Sequence, residues 1–222
     1  MKRIAVWLAV SGLMSGLLFS QSIHLKIGLF IPELQSDLWS VNRENLTFER
    51  SDMVNVVYGG EYEFYFNRLF SLSLEVGSYA KTVFAQYRDY EFEDGTPISQ
   101  NISLRIVPVE ANLKYHPLGH RNRLNPYVGI GAGVYAWTYQ QFGNFINFED
   151  DSISEGFAET RRFAFGLNGR AGVAYRFQQR LGILLEGKYH YLQGKLSRNF
   201  EGFEPLDMSG FLINAGIMFY FD

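Results

Sequence analysis

The chain has 222 residues, no cysteine, 20 Phe, 14 Tyr and 3 Trp, 22 Gly against 6 Pro, and a formal net charge of −3. That length fits one domain. The missing cysteine excludes disulfides, thiolate catalysis and Cys-ligated zinc, and the small negative charge offers no basic footprint for a nucleic-acid partner.

In chain order, Lys2 and Arg3 precede an uncharged, largely apolar run from Ile4 to Phe19, followed by Ser20, Gln21 and Ser22. This is the order of a secretory signal peptide. The run is interrupted by Ser11, Gly12, Ser15 and Gly16, which argues against an anchoring helix of about 20 apolar residues. Residues 1–22 are therefore read as a signal peptide, cut after Ser20 or Ser22, and 23–222 as the mature domain.

From there on apolar residues alternate, and a period of two means strand with two differently solvated faces. Eight segments show it. The first sets Ile23, Leu25, Ile27, Leu29 and Ile31 against His24, Lys26 and Gly28; the second, at 54–66, sets Val56, Tyr58, Tyr62, Phe64 and Phe66 against Asn55, Glu61 and Glu63. The third, at 70–80, opposes Leu72, Leu74 and Val76 to Ser71, Ser73 and Glu75, and the fourth, at 107–115, opposes Val109, Ala111 and Leu113 to Glu110, Asn112 and Lys114. Residues 127–137 place Val128, Ile130, Ala132 and Val134 opposite Gly129, Gly131 and Gly133. Phe163–Phe177, Leu181–Tyr191 and Phe211–Phe221 complete the set, with Arg162, Arg170, Arg176, Glu186, Lys188 and His190 on the polar faces. Upstream of Val107 the apolar parity switches to Ile102, Leu104 and Ile106, and Pro108 at the switch predicts a β-bulge.

The connections alternate. Asn67-Arg68, His116–Asn125 and Gln178-Gln179-Arg180 are short or turn-like, whereas 32–52, 142–160 and 198–208 are long and polar, and Asp94-Gly95 marks a hairpin tip. Phe64, Phe66, Phe70, Tyr115, Tyr175, Phe177, Phe219 and Phe221 all fall beside the short turns or the C-terminus on the apolar face. They form one ring, as an aromatic girdle at a membrane interface does. A mean hydropathy of −0.09 is compatible with this, because lipid-facing and lumen-facing residues average out. In hydrocarbon a spanning sheet must close on itself, and eight strands leave an interior that side chains fill. The fold expected is an all-β, eight-stranded antiparallel up-and-down transmembrane β-barrel.

Inward charges are the acids Glu61, Glu63, Glu75, Glu110 and Glu186 and the bases Lys26, Lys81, Lys114, Arg162, Arg170, Arg176 and Lys188. Being close to balance, they suggest a paired polar network, with His190 alongside, that plugs the lumen. Gly129, Gly131 and Gly133 recur every second residue inside a strand, unlike a nucleotide-binding loop, and are read as room for long charged side chains. Glu149, Asp150, Asp151, Glu155 and Glu159 fit no EF-hand spacing and are read as a solvated outer loop. No catalytic residue, metal site or cofactor is assigned.

The segment Pro126-Tyr-Val-Gly-Ile-Gly-Ala-Gly-Val-Tyr135 and the aromatic last strand Phe211–Phe221 resemble the outer-membrane β-barrel domain family of small porin-like proteins, which includes the OmpA transmembrane domain and OmpX- and OmpW-like barrels. Asp222 departs from the family's aromatic ending. The resemblance implies a bacterial outer-membrane location with both termini periplasmic, and a non-enzymatic structural, envelope or surface-interaction role. It implies outer-membrane lipids and lipopolysaccharide as partners, with barrel-assembly machinery and periplasmic chaperones during biogenesis, and a monomer. The alternatives are a narrow pore or transporter for small or hydrophobic solutes, as in OmpW-like proteins, and a lipid A-modifying enzyme.

Overall fold

The computed structural model describes residues 20–147 and 152–221; most of the predicted signal peptide, the acidic Glu149, Asp150 and Asp151, and Asp222 lie outside them. The elements in order are β1 (Gln21–Pro32), α1 (Asp37–Asn45), a 3-10 turn (Arg50–Met53), β2 (Asn55–Tyr65), β3 (Phe70–Glu91), β4 (Pro97–Tyr115), β5 (Leu124–Asn147), β6 (Ser152–Arg176), β7 (Leu181–Gly194), a second 3-10 turn (Arg198–Phe200), β8 (Leu206–Asp207) and β9 (Gly210–Phe221). Each barrel strand pairs antiparallel with its chain neighbour, β9 pairs with β7 and β1, and the β6–β7 ladder joins the two ends of the sheet. The ring therefore has eight strands, β1–β7 and β9, as the alternation predicts. The two-residue β8 pairs only with the end of β7.

The ring closes because each strand is apolar outward and filled inward. On β1 Leu25 and Ile27 are 57% and 60% exposed while His24 and Lys26 between them are buried. Phe165 on β6 is 85% exposed. So much outward apolar surface around a closed sheet is stable only against hydrocarbon.

Three connections differ from expectation, one of them 198–208, which buries Phe200, Leu206 and Met208 in the barrel mouth. Residues 142–160 are largely a continued hairpin: β5 and β6 stay in register from Leu124↔Tyr175 up to Asn147↔Ser152. Crossing a bilayer takes about 9–11 residues, so β5 and β6, with 24 and 25, rise well past it. The 32–52 connection folds inward as α1 and the 3-10 turn, with Leu34, Leu38, Trp39, Phe48 and Met53 buried in the barrel mouth. Trp39 Nε1 donates to the Asp207 carbonyl at 2.8 Å and Asn42 Nδ2 donates to the Tyr139 hydroxyl at 2.8 Å, which anchors this cap.

The bulge predicted at Pro108 does not form. β4 and β5 pair without interruption from Gln100↔Gly143 through Pro108↔Tyr135 to Tyr115↔Val128, and the irregularity between β3 and β4 lies at Gln86/Glu91. Ile102, Leu104 and Ile106 share the inward parity of Glu110, Asn112 and Lys114, and all six are buried. What switches at Pro108 is the filling of the barrel, from charged below to apolar above.

Candidate functional site: the barrel interior

The lower interior, nearer the short turns, holds five carboxylates, Glu61 and Glu63 of β2, Glu75 of β3, Glu110 of β4 and Glu186 of β7, with Lys26, Lys114, Arg170 and Lys188. Lys26 Nζ contacts Glu61 and lies 3.0 Å from both Glu75 and Glu186. Lys114 contacts Glu61 and reaches Glu63 at 3.1 Å. Arg170 donates to Glu75 at 2.7 Å and Glu110 at 3.1 Å, and Lys188 bridges the same two carboxylates at 2.8 Å each. Every one of these side chains is 7% exposed or less. Buried charges are tolerated only when paired and hydrogen-bonded, and here each cation meets at least two anions.

β5 supplies the space. A Cβ on Gly131 would sit 2.0 Å from Asn112 Oδ1 and 2.7 Å from Asn168 Nδ2, and one on Gly129 would press on the stems of Lys114 and Arg170. The remaining polar groups fill in: Tyr127 donates to Glu186 Oε2 at 3.0 Å, Asn168 donates to Asn112 at 3.1 Å, and Arg170 also donates to Asn112 at 2.7 Å.

Of the residues proposed for the network, Glu61, Glu75, Glu110, Lys114, Arg170, Glu186 and Lys188 come together. Arg176 lies lower, over the Tyr220 ring at 3.6 Å. His190 lies higher: Nε2 donates to the Met208 carbonyl at 2.9 Å, and its ring packs beside Phe30 and Tyr135. Lys81 is half-buried and Arg162 is exposed above the end of β7. Two histidines join from below. His24 lies 3.4 Å from Glu61 and 3.3 Å from Glu63, and His116 lies 3.2 Å from Glu63. The inward parity of His24 was a usable signal, but His116 follows the end of β4 and no strand pattern reaches it.

Two arrangements resemble reactive sites. His24, Glu61 and Glu63 each place one possible ligand atom within 4.8 Å of the others, yet Lys26 and Lys114 already hold these carboxylates, so a metal would have to displace an ammonium. Ser71 Oγ, His116 Nε2 at 2.8 Å, and Asn125 Oδ1 3.1 Å from His116 Nδ1 follow the order of nucleophile, base and orienting group. Ser71 is fully buried and donates to Glu63, and the same His116 nitrogen faces Glu63, an acceptor only. The Ser71 hydroxyl hydrogen is thus directed at Glu63 and not at His116.

The upper interior is apolar. Phe30, Val57, Tyr79, Val83, Ile102, Leu104, Ile106, Trp137, Leu192 and Leu212 from the strands pack with Leu34, Trp39, Phe48, Phe200, Leu206 and Met208 of the cap segments. Tyr135 spans the boundary, its ring in this cluster and its hydroxyl donating down to Glu110. On the outside, Phe66 stacks on Phe70 at 6.3 Å and Phe70 meets Tyr115 at 5.2 Å. Tyr175, Phe177, Phe219 and Phe221 are exposed beside the same end, and Phe64 is half-buried there.

A family model described as "Outer membrane protein beta-barrel domain" matches residues 35–219. Among solved structures the chain is similar to Neisserial surface protein A, with a TM-score of 0.51 at 13% identity over 91% of this chain and 96% of that one. It is also similar to Ail of Yersinia pestis (0.46, 13%, 92% and 100%) and to a major outer membrane protein of Thermus thermophilus (0.48, 11%, 92% and 100%). At 13% identity the likeness to Neisserial surface protein A is one of fold. No curated protein matches.

Proposed function

The chain belongs to the outer-membrane protein β-barrel domain family, and on that premise we propose that it is a closed, non-enzymatic barrel with an envelope or surface-interaction role, acting through its outer face and long hairpins rather than through its lumen. The observation that carries this is the doubly filled interior. Lys114 is 1% exposed between Glu61 and Glu63, and above it Trp39 of α1 is 0% exposed. A solute would have to break the ion-pair layer and unpack the apolar layer. The turns 66–69, 116–123 and 177–180 are short and carry Arg68, Arg121, Arg123 and Arg180, whereas the hairpins at the other end are long. This supports an orientation with the short turns and both termini in the periplasm. Ser22 Oγ bonds His24 at 2.8 Å and Tyr65 at 3.1 Å, which favours signal cleavage after Ser20. The barrel acts as a monomer, with lipids of the outer membrane as its immediate surroundings and the assembly machinery and chaperones as partners during biogenesis.

Planar-bilayer recording tests the closed lumen. The refolded barrel is expected to give no stable unit conductance; reproducible ohmic steps would replace this reading with a transport role.

A further inference from the structure

On the outward face of three neighbouring strands, Arg105 of β4, Thr138 of β5 and Arg161 of β6 lie directly opposite one another in the ladder. Two strand spacings separate the arginine backbones by about 10 Å. The row beneath is Val107, Ala136 and Phe163; the row above is Ser103, Gln140 and Glu159. With Ala80, Trp137 and a third arginine, Arg162, these residues line an open groove of about 610 Å3.

The height of this row is what gives it meaning. Arg105 is ten residues above the girdle residue Tyr115 on the same strand, which at about 3.3 Å per residue and a tilt near 40° is about 25 Å. The apolar band of such a barrel is itself about 25 Å tall, so the arginines sit at its upper edge. Phe163 and Phe165 below them are 77% and 85% exposed. The ion pairs among the described residues all lie in the lumen, and neither Arg105 nor Arg161 takes part in one. Both guanidiniums are exposed beside a cavity, and one carboxylate, Glu159, borders it from above.

We infer that this groove binds the phosphorylated headgroup of an outer-leaflet glycolipid, with the acyl chains running down the strip where Ala136 and Ala132 leave room between larger neighbours. Guanidinium forks match phosphate oxygens in a bidentate way, and at the edge of hydrocarbon an anion held there is partly desolvated. Ser103, Thr138 and Gln140 offer hydrogen bonds to sugar hydroxyls. The orientation proposed above determines only which leaflet supplies the lipid; binding in detergent does not depend on it, nor on whether the lumen conducts.

Native mass spectrometry of the refolded full barrel in detergent tests this with diphosphorylated lipid A as probe. The barrel is expected to retain one lipid A, and R105Q/R161Q to retain it about tenfold less, while R123Q at the opposite rim behaves as the unaltered chain. Heat-modifiable migration of each variant shows that the barrel has folded, since both arginines lie outside the packed interior. Equal retention by R105Q/R161Q, equal retention of dephosphorylated lipid A, or displacement by millimolar inorganic phosphate would each overturn the assignment, the last by showing a site for free anions.

Discussion

On β4, Lys114 and Leu104 point into the same lumen, and both are buried. Lys114 is held by two carboxylates of β2; Leu104 belongs to an apolar cluster that includes the cap residues Trp39 and Phe200. Both halves are filled by buried side chains, but in different ways. In the lower half each charge costs several kcal/mol to desolvate and is tolerated only while its partners stay in place. Its groups come from β1, β2, β3, β4, β6 and β7, so the pairing depends on the register of nearly the whole ring. In the upper half dispersion and hydrophobic burial act without direction, and segments with no ladder of their own, α1 and the turn at Arg198–Phe200, can be recruited to fill the mouth. The charged half fixes the register of the barrel, and the apolar half seals its mouth.

The two halves should therefore fail differently. Glu61→Leu leaves Lys26 without its nearest anion and Lys114 with Glu63 alone, and is expected to lower stability by about 3–5 kcal/mol, read as the urea midpoint of the barrel in lipid vesicles. Leu104→Ala leaves no charge unpaired and creates only a cavity, for which about 2–5 kcal/mol is the ordinary range; we expect it to fall below Glu61→Leu in the same assay. A cost for Leu104→Ala well above that of Glu61→Leu would break the comparison and make the apolar half the main determinant of stability.

How legible each half was in the sequence follows from the same difference. Strand count, pairing order and facing came from alternation, since a lipid face and a charged face differ as much as two surroundings can. That contrast disappears where the interior is itself apolar. At Ile102, Leu104 and Ile106 the inward residues look like lipid-facing ones, and Pro108 offered a bulge as a ready explanation. Ser103 and Arg105, the outward residues of that stretch, were the available clue: they are polar because the strand has risen past the hydrocarbon. The same rise hid the long β5–β6 hairpin, whose upper rungs Gln140↔Glu159 and Asn144↔Glu155 read as a polar loop. Helix α1 spans nine residues, too few for a clear 3.6-residue period, although Ser36-Asp37 before Leu38-Trp39 is a recognisable start. Within the site, parity identified which charges point inward but not their heights. Arg176 and His190 share the inward face of their strands, yet they end up below and above the ion pairs.

The central claim, that the lumen is closed to water between these two layers, can be tested with one side chain. The chain has no native cysteine, and Ser73, 1% exposed in the lower half, accepts a hydrogen bond from Asn112; Ser73→Cys changes one atom there. In the folded barrel this thiol should resist a charged, water-soluble thiol reagent that modifies Glu93→Cys on the exposed β3–β4 hairpin, and should react only after unfolding. Labelling of Ser73→Cys in the folded barrel at a rate close to that of Glu93→Cys would show a water-filled lumen and contradict the account.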